Sequence, residues 1–218
     1  FRPPNNDDES EQLEHERIRE EYGCGDEAAL SYSSGTETPM LLAVGRLVAR
    51  KGYMTLLRAM PEIIRDNPGA KLVIVGRGHM KSSLEKHAKK LGISDSIHIQ
   101  SSLSFEELSQ HFRSADLVVY PSYYEGQGLI PLESLASGTP VATVDQEPLT
   151  EMIDTSVGGL FKRGDPTDLA RCVNEMLSSE ETTEKARLGR ERVLSKYTYE
   201  HNASDYEEVF KRAISKWA

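Results

Sequence analysis

Cysteine is scarce in this chain. Only two occur in 218 residues, Cys24 and Cys172, and neither stands in a metal-ligand spacing or a CxxC pair. A reducing compartment is the simpler reading, and neither thiol is a site candidate. No apolar run approaches the roughly eighteen residues needed to cross a bilayer, and the opening residues do not form a signal peptide. The chain therefore reads as cytoplasmic. Positive charge is also in deficit. The 26 Lys and Arg against 35 Asp and Glu leave a formal net charge of -9, which argues against general nucleic-acid binding, since that wants a basic face. A local basic pocket is still allowed. What is present is a 38% hydrophobic content, enough to bury a core in one large domain or two small ones.

From Met40 onward short apolar runs recur: LLAVG at 41–45, KLVIVG at 71–76, SIHIQ at 96–100, DLVVYPS at 116–122 and PVATV at 140–144. Runs that are apolar on both faces suit parallel strands covered on both sides. Between the first two, Tyr53, Leu56, Leu57, Met60, Ile63 and Ile64 follow the spacing of one helix face, with Pro61 as a blemish. HMKSSLEKHAKKLG predicts the next helix, stopped by Gly92. SFEELSQHF predicts another, with Ser104 as N-cap three residues before Glu107. Asp165 caps a predicted helix through Leu177, and two more helical stretches follow at about 180–196 and 199–216. This alternation predicts an α/β fold, a Rossmann-like doubly wound parallel sheet with ligands at the carboxyl ends of its strands and extra C-terminal helices. The first forty residues differ. FRPPNNDDESEQLEHERIREE is rich in proline and acid and then charged on nearly every face, and SSGTETP is a loop composition, so a solvated linker and a surface helix are expected.

Three loops carry the chemistry. In GRLVARKG, Gly45 and Gly52 frame Arg46, Arg50 and Lys51. Cations at a strand's carboxyl end are placed to meet phosphates, or they are ordinary surface cations. GRGHM is a second glycine-permitted turn, with Arg77 as a weaker candidate beside the reading of a plain tight turn. The third is EGQGLIPLE, in which Glu125 and Glu133 bracket Gly126, Gln127, Gly128 and Leu129. Its glycines delay a helix until about Pro131, which is tolerated at a first helical position. Glu125 is then expected on the loop and Glu133 in the first turn. Glycine-freed amides at a helix start attract an anion, and carboxylates accept hydrogen bonds from sugar hydroxyls. Alone, the two acids read equally well as solvated charges near a helix dipole.

VGRLVARKG, DLVVYPSYYEGQGLIPLESLASGTPVA and GGLFKRGDPTDLA together resemble the nucleotide-sugar-binding domain of retaining glycosyltransferases of family four, the second half of a GT-B fold. The resemblance spans about Met40 to Leu177 and extends into YTYEHNASDYEEVF, similar to the family's aromatic-rich terminal helix. It implies three parts: 1–39 as a linker and surface helix leading in from a missing N-terminal domain, 40–178 as the donor-binding domain, and 179–218 as C-terminal helices completing it. It also implies roles. Arg46 and Lys51 match the basic pair on the donor diphosphate, Glu125 the acid at the donor sugar, and Glu133 the acid at the ribose. Gly45 lies in the first donor loop, and Gly126, Gly128 and Leu129 match the loop whose backbone meets diphosphate and sugar. Gln127 stands where the family usually has a hydrophobe, and Glu147 and Pro148 replace its glycine pair.

The activity implied is transfer of a glycosyl group from a nucleotide-diphosphate sugar, UDP- or GDP-linked, with retention. The route is a front-face ion-pair displacement in which Arg46, Lys51 and Glu125 form the catalytic set and the leaving diphosphate assists acceptor deprotonation. Arg46 and Lys51 stabilise the developing charge without a metal, and no D-x-D motif is present to bind one. Glu125 is not read as a covalent nucleophile, although paired carboxylates play that part in retaining hydrolases. The acceptor, whether glycan, lipid or small molecule, and any peripheral membrane contact would belong to the missing domain, so this piece is expected to bind donor without turnover. Two readings stand beside this one: a noncatalytic nucleotide-sugar module acting with a partner chain, and a dinucleotide-binding domain. The second wants a GxGxxG turn that GRLVARKG lacks.

Overall fold

The computed structural model describes residue 1 and residues 8–24 and 38–217. Its strands are β1 (Met40–Val44), β2 (Lys71–Val75), β3 (Ile97–Gln100), β4 (Leu117–Tyr120), β5 (Val141–Val144) and β6 (Gly159–Phe161). All pair in parallel in the order β3-β2-β1-β4-β5-β6. The expected Rossmann-like sheet is therefore present, with one strand more than the five apolar runs. The extra strand, β6, has three residues and starts at a glycine, too short to show a period. Every residue of β1, β4 and β5 is buried, as a sheet covered on both faces requires. Strand order reverses between β1 and β4, and a crevice opens at such a reversal beyond the strands' carboxyl ends. Leu41 pairs with Leu117 and Leu42 with Val118, so the end of β1 at Val44 is level with Tyr120 at the end of β4.

The helices are α1 (Glu9–Glu21), α2 (Tyr53–Asp66), α3 (Lys81–Leu91), α4 (Phe105–Ser114), α5 (Leu129–Ala136), α6 (Leu149–Met152), α7 (Pro166–Ser178), α8 (Glu181–Lys196) and α9 (Tyr199–Trp217). Leu56, Leu57, Met60 and Ile63 of α2 are buried as their spacing requires, and the helix runs through Pro61 unbroken. Ser104 and Glu107 form the capping box of α4, Asp165 accepts from two amides at the start of α7, and Gly92 ends α3 in the left-handed conformation. One boundary differs from expectation. α5 starts at Leu129, capped by Gly128 at φ +89°, so Pro131 is its third residue and Glu133 lies in the second turn. Proline fits there because the first amides of a helix have no intrahelical partner.

The N-terminal helix lies on the surface with one docked face: most of its residues are exposed or half-buried, while α1 packs against α4 and buries Ile18 and Arg19. Arg19 donates to Thr38 O at 3.0 Å, Ser114 O at 3.1 Å and Asp116 Oδ2 at 2.9 Å. Just beyond it, Gln100 Nε2 donates to the Tyr22 hydroxyl, which lies 3.0 Å from His111 Nε2. His111 Nδ1 lies 2.7 Å from the carbonyl of Glu107, which only accepts, so Nδ1 carries the proton and Nε2 accepts from Tyr22. The linker reading of FRPPNNDD and of SSGTETP falls mainly on residues outside those described. At the other end, α8 packs on α5, and α9 meets the body through α8 with Tyr206, Phe210 and Ile214 exposed.

Candidate functional site

Two loops face the crevice. One runs from Gly45 to Gly52, between β1 and α2, and the other from Pro121 to Gly128, between β4 and α5. Backbone contact locks them together. Tyr123 N donates to Arg50 O at 2.7 Å, and Gly52, at φ +70°, lies so close to Pro121 that a Cβ would come within 1.9 Å of its carbonyl oxygen. The loop after β2 lies under the first. Gly45 N bonds Val75 O, Leu47 N bonds Arg77 O and Met80 N bonds Leu47 O. A Cβ on Gly76 would come within 1.9 Å of Gly45 O, and one on Gly78 within 2.3 Å of Leu47 O. The cleft floor is therefore main chain against main chain.

On this floor Lys51 and Glu125 meet. Lys51 Nζ lies 2.5 Å from Glu125 Oε1 and donates to the Tyr120 hydroxyl at 2.6 Å. The Ser122 hydroxyl also donates to Glu125 Oε1, and Arg50 Nη1 is 3.5 Å from that oxygen while donating to Tyr124 O at 2.7 Å. Only 9% of the Lys51 side chain and 10% of the Glu125 side chain is exposed. Burial works hardest on Glu125 and pushes its carboxyl up, but donors from Lys51, Ser122 and Tyr120 outweigh it and leave the group below its ordinary value. Tyr120 and Tyr53 are pushed strongly upward, first by burial and then by the Glu125 charge. The Tyr53 hydroxyl is buried without a hydrogen-bond partner among the described residues, next to Gly45.

The expected residues thus divide. Gly45, Lys51 and Glu125 come together. Arg46 is exposed, with no ion pair or side-chain hydrogen bond among the described residues. Gln127 and Leu129 are exposed, and a Cβ on Gly126 would meet nothing within 4 Å, whereas one on Gly128 would come within 2.6 Å of Leu149. Glu133 is half-buried with no side-chain hydrogen bond among the described residues, and burial holds its carboxyl above the usual value. No hydrogen bond or ion pair joins it to the Lys51 pair among the described residues. Arg77 turns to the loop after β3, donating to Ser101 O and Ser102 Oγ. The Glu147-Pro148 peptide is cis, and the preceding Gln146 donates to Tyr123 O at 2.8 Å, tying this departure from the family pattern to the Glu125 loop.

Tyr120, Tyr53 and Ser122 escaped the sequence reading as site residues. Tyr120 reads as a strand residue and Tyr53 as a helix-face residue, and nothing local reports their hydroxyls' positions. Both cysteines are buried, with their thiols pushed up to about 11 for Cys24 and about 12 for Cys172. Among the described residues no helix is long and apolar enough to cross a membrane, and no three His, Cys, Asp or Glu residues gather as a metal site would need.

The model of the family described as glycosyl transferases group 1 matches residues 29–191. An uncharacterized glycosyltransferase of Methanocaldococcus jannaschii is 35% identical over 177 residues, covering 80% of this chain and 45% of that protein. The chain spans about half the length of the curated relatives it matches. Among solved structures, Anabaena HepE in complex with UDP and glucose superposes with a TM-score of 0.78 at 18% identity, over 91% of this chain and 52% of that one. The C-terminal domain of a glycosyl transferase group 1 family protein from Francisella tularensis superposes at 0.71 with 21% identity, over 91% of this chain and 96% of that one. At these identities the two superpositions speak to the GT-B type of fold.

Proposed function

The chain belongs to the glycosyl transferases group 1 family, and from that premise we propose that it is the donor-binding part of an enzyme that moves a sugar, with retention, from a nucleotide-diphosphate sugar to an acceptor hydroxyl. The observation that carries this reading is the Lys51–Glu125 pair, set with Tyr120 at the sheet's reversal point, with Arg46 exposed on the same loop as Lys51 and without an ion pair among the described residues. Cation and carboxylate side by side suit a ligand whose phosphates and hydroxyls are neighbours.

In this reading Arg46 and Lys51 hold the diphosphate and stabilise its charge as the sugar leaves, with no metal required. The open backbone at Gly126 and the amides at the start of α5 reach the same group. Glu125 accepts from sugar hydroxyls through Oε2, since its internal donors gather on Oε1. Glu133 accepts from the ribose. Bound this way, the donor keeps its reacting face toward the rest of the longer protein, which supplies the acceptor, so this part alone binds donor without turnover.

Calorimetric titration with UDP, GDP and ADP tests the reading. One nucleotide is expected to saturate, its binding unaffected by EDTA and lost in Arg46→Ala. Failure of all three to bind, or transfer by this chain alone, would contradict it.

A further inference from the structure

Lys51 poses a problem for any ligand, because its side chain is about nine-tenths buried and two of its three donors are already used. One serves Glu125 and the other Tyr120. A phosphate reaching this group from the open side of the cleft would draw it outward and lengthen the 2.5 Å contact to Glu125. The carboxylate left behind is 10% exposed, and a buried charge stripped of its partner is strongly destabilising. Ser122 remains, but it is neutral.

One cation is poised to take over. Arg50 Nη1 stands 3.5 Å from the same oxygen, too far for a good hydrogen bond, and a shift of about 0.7 Å would bring it to the distance of a charge-assisted one. Its side chain is 37% exposed and has room to move. It is also bonded to the loop it would serve: its guanidinium donates to Tyr124 O, and its carbonyl accepts from Tyr123 N. We propose that Arg50 is the reserve counter-ion of Glu125, closing on the carboxylate when a diphosphate draws Lys51 away. Resting on the donor-site reading above, this adds a residue that acts on the ligand only through Glu125.

A double-mutant cycle separates that role from direct contact. With whichever of UDP, GDP or ADP the wild-type chain binds, Arg50→Gln is expected to weaken affinity about fivefold, the worth of one partly exposed ion pair. Arg50→Lys recovers part of the loss. In the Glu125→Gln background there is no carboxylate charge to compensate, and Arg50→Gln should then change affinity less than twofold. The same factor in both backgrounds would mean that Arg50 touches the ligand or merely holds the loop, and would overturn the proposal. No loss in Arg50→Gln would overturn it equally. Wild-type chain that binds none of the three nucleotides would instead remove the donor site, and the exchange with it.

Discussion

Replacing Lys51 by Met keeps the buried stem and removes the charge, leaving Glu125 without its closest cation. Breaking a buried pair from one side costs about 3–5 kcal/mol, but a carboxyl can escape by taking a proton. With an ordinary glutamate value of about 4.3 and about 1.4 kcal/mol per pH unit, that escape caps the charge penalty near 3.7 kcal/mol at pH 7 and about 1 kcal/mol at pH 5. Ser122 and Arg50 still face the group, so a loss of about 3 kcal/mol is expected at pH 7. The lost bond to the Tyr120 hydroxyl, about 1 kcal/mol, is independent of pH over this range. In the wild type, Glu125 lies below its ordinary value and contributes stability above that value, lost as pH falls through it. In Lys51→Met the unpaired carboxyl lies above its ordinary value, and its contribution is lost as pH rises. The gap between the two proteins should therefore narrow by at least about 1.5 kcal/mol from pH 7 to pH 5. His98 and His111, both held low by burial, titrate alike in both proteins and cancel. Urea unfolding followed by circular dichroism at the two pH values measures the gap, and an equal loss at both would refute the buried-pair reasoning.

Arg19→Met removes the hydrogen bonds to Thr38 O, Ser114 O and Asp116 from under α1 and should cost about 3 kcal/mol, or roughly 6–12 °C in Tm for a chain of this size. A thermal melt showing a shift below 3 °C would argue that α1 docks by its apolar contacts alone. Gly52→Ala forces a Cβ against Pro121 O in a left-handed backbone, and about 4 kcal/mol or more should be lost. Gly126→Ala meets nothing and should leave Tm within about 2 °C, so similar melts for the two variants would contradict the close-approach account.

The sheet was legible because β1, β4 and β5 are buried on both faces and need continuous apolar runs. β6 was not, since three residues starting at Gly159 are too few to show a period, although Phe161 is fully buried. The start of α5 was read two residues late because the glycines before it suggest delay, while Gly128 at positive φ in fact caps the helix. α1 looked solvated because Ile18 and Tyr22 are outnumbered by charges, and a buried Arg19 finds its carbonyl partners only after the chain folds. Within the site, the motif spacing named Lys51 and Glu125 without showing that they pair, because their meeting is made by the β1–β4 register across 74 positions.

The cleft floor, where Gly45 and Leu47 lie against Gly76 and Gly78, has a consequence for how such a site diversifies. A surface of packed backbone has no rotamers to re-sort, so its shape is independent of the side chains that rise from it. Arg46 and Gln127 stand above that surface in solvent, where substitution disturbs little packing. Ligand preference can then drift through a few upright side chains, while Gly76 and Gly78 admit no replacement that carries even a methyl group.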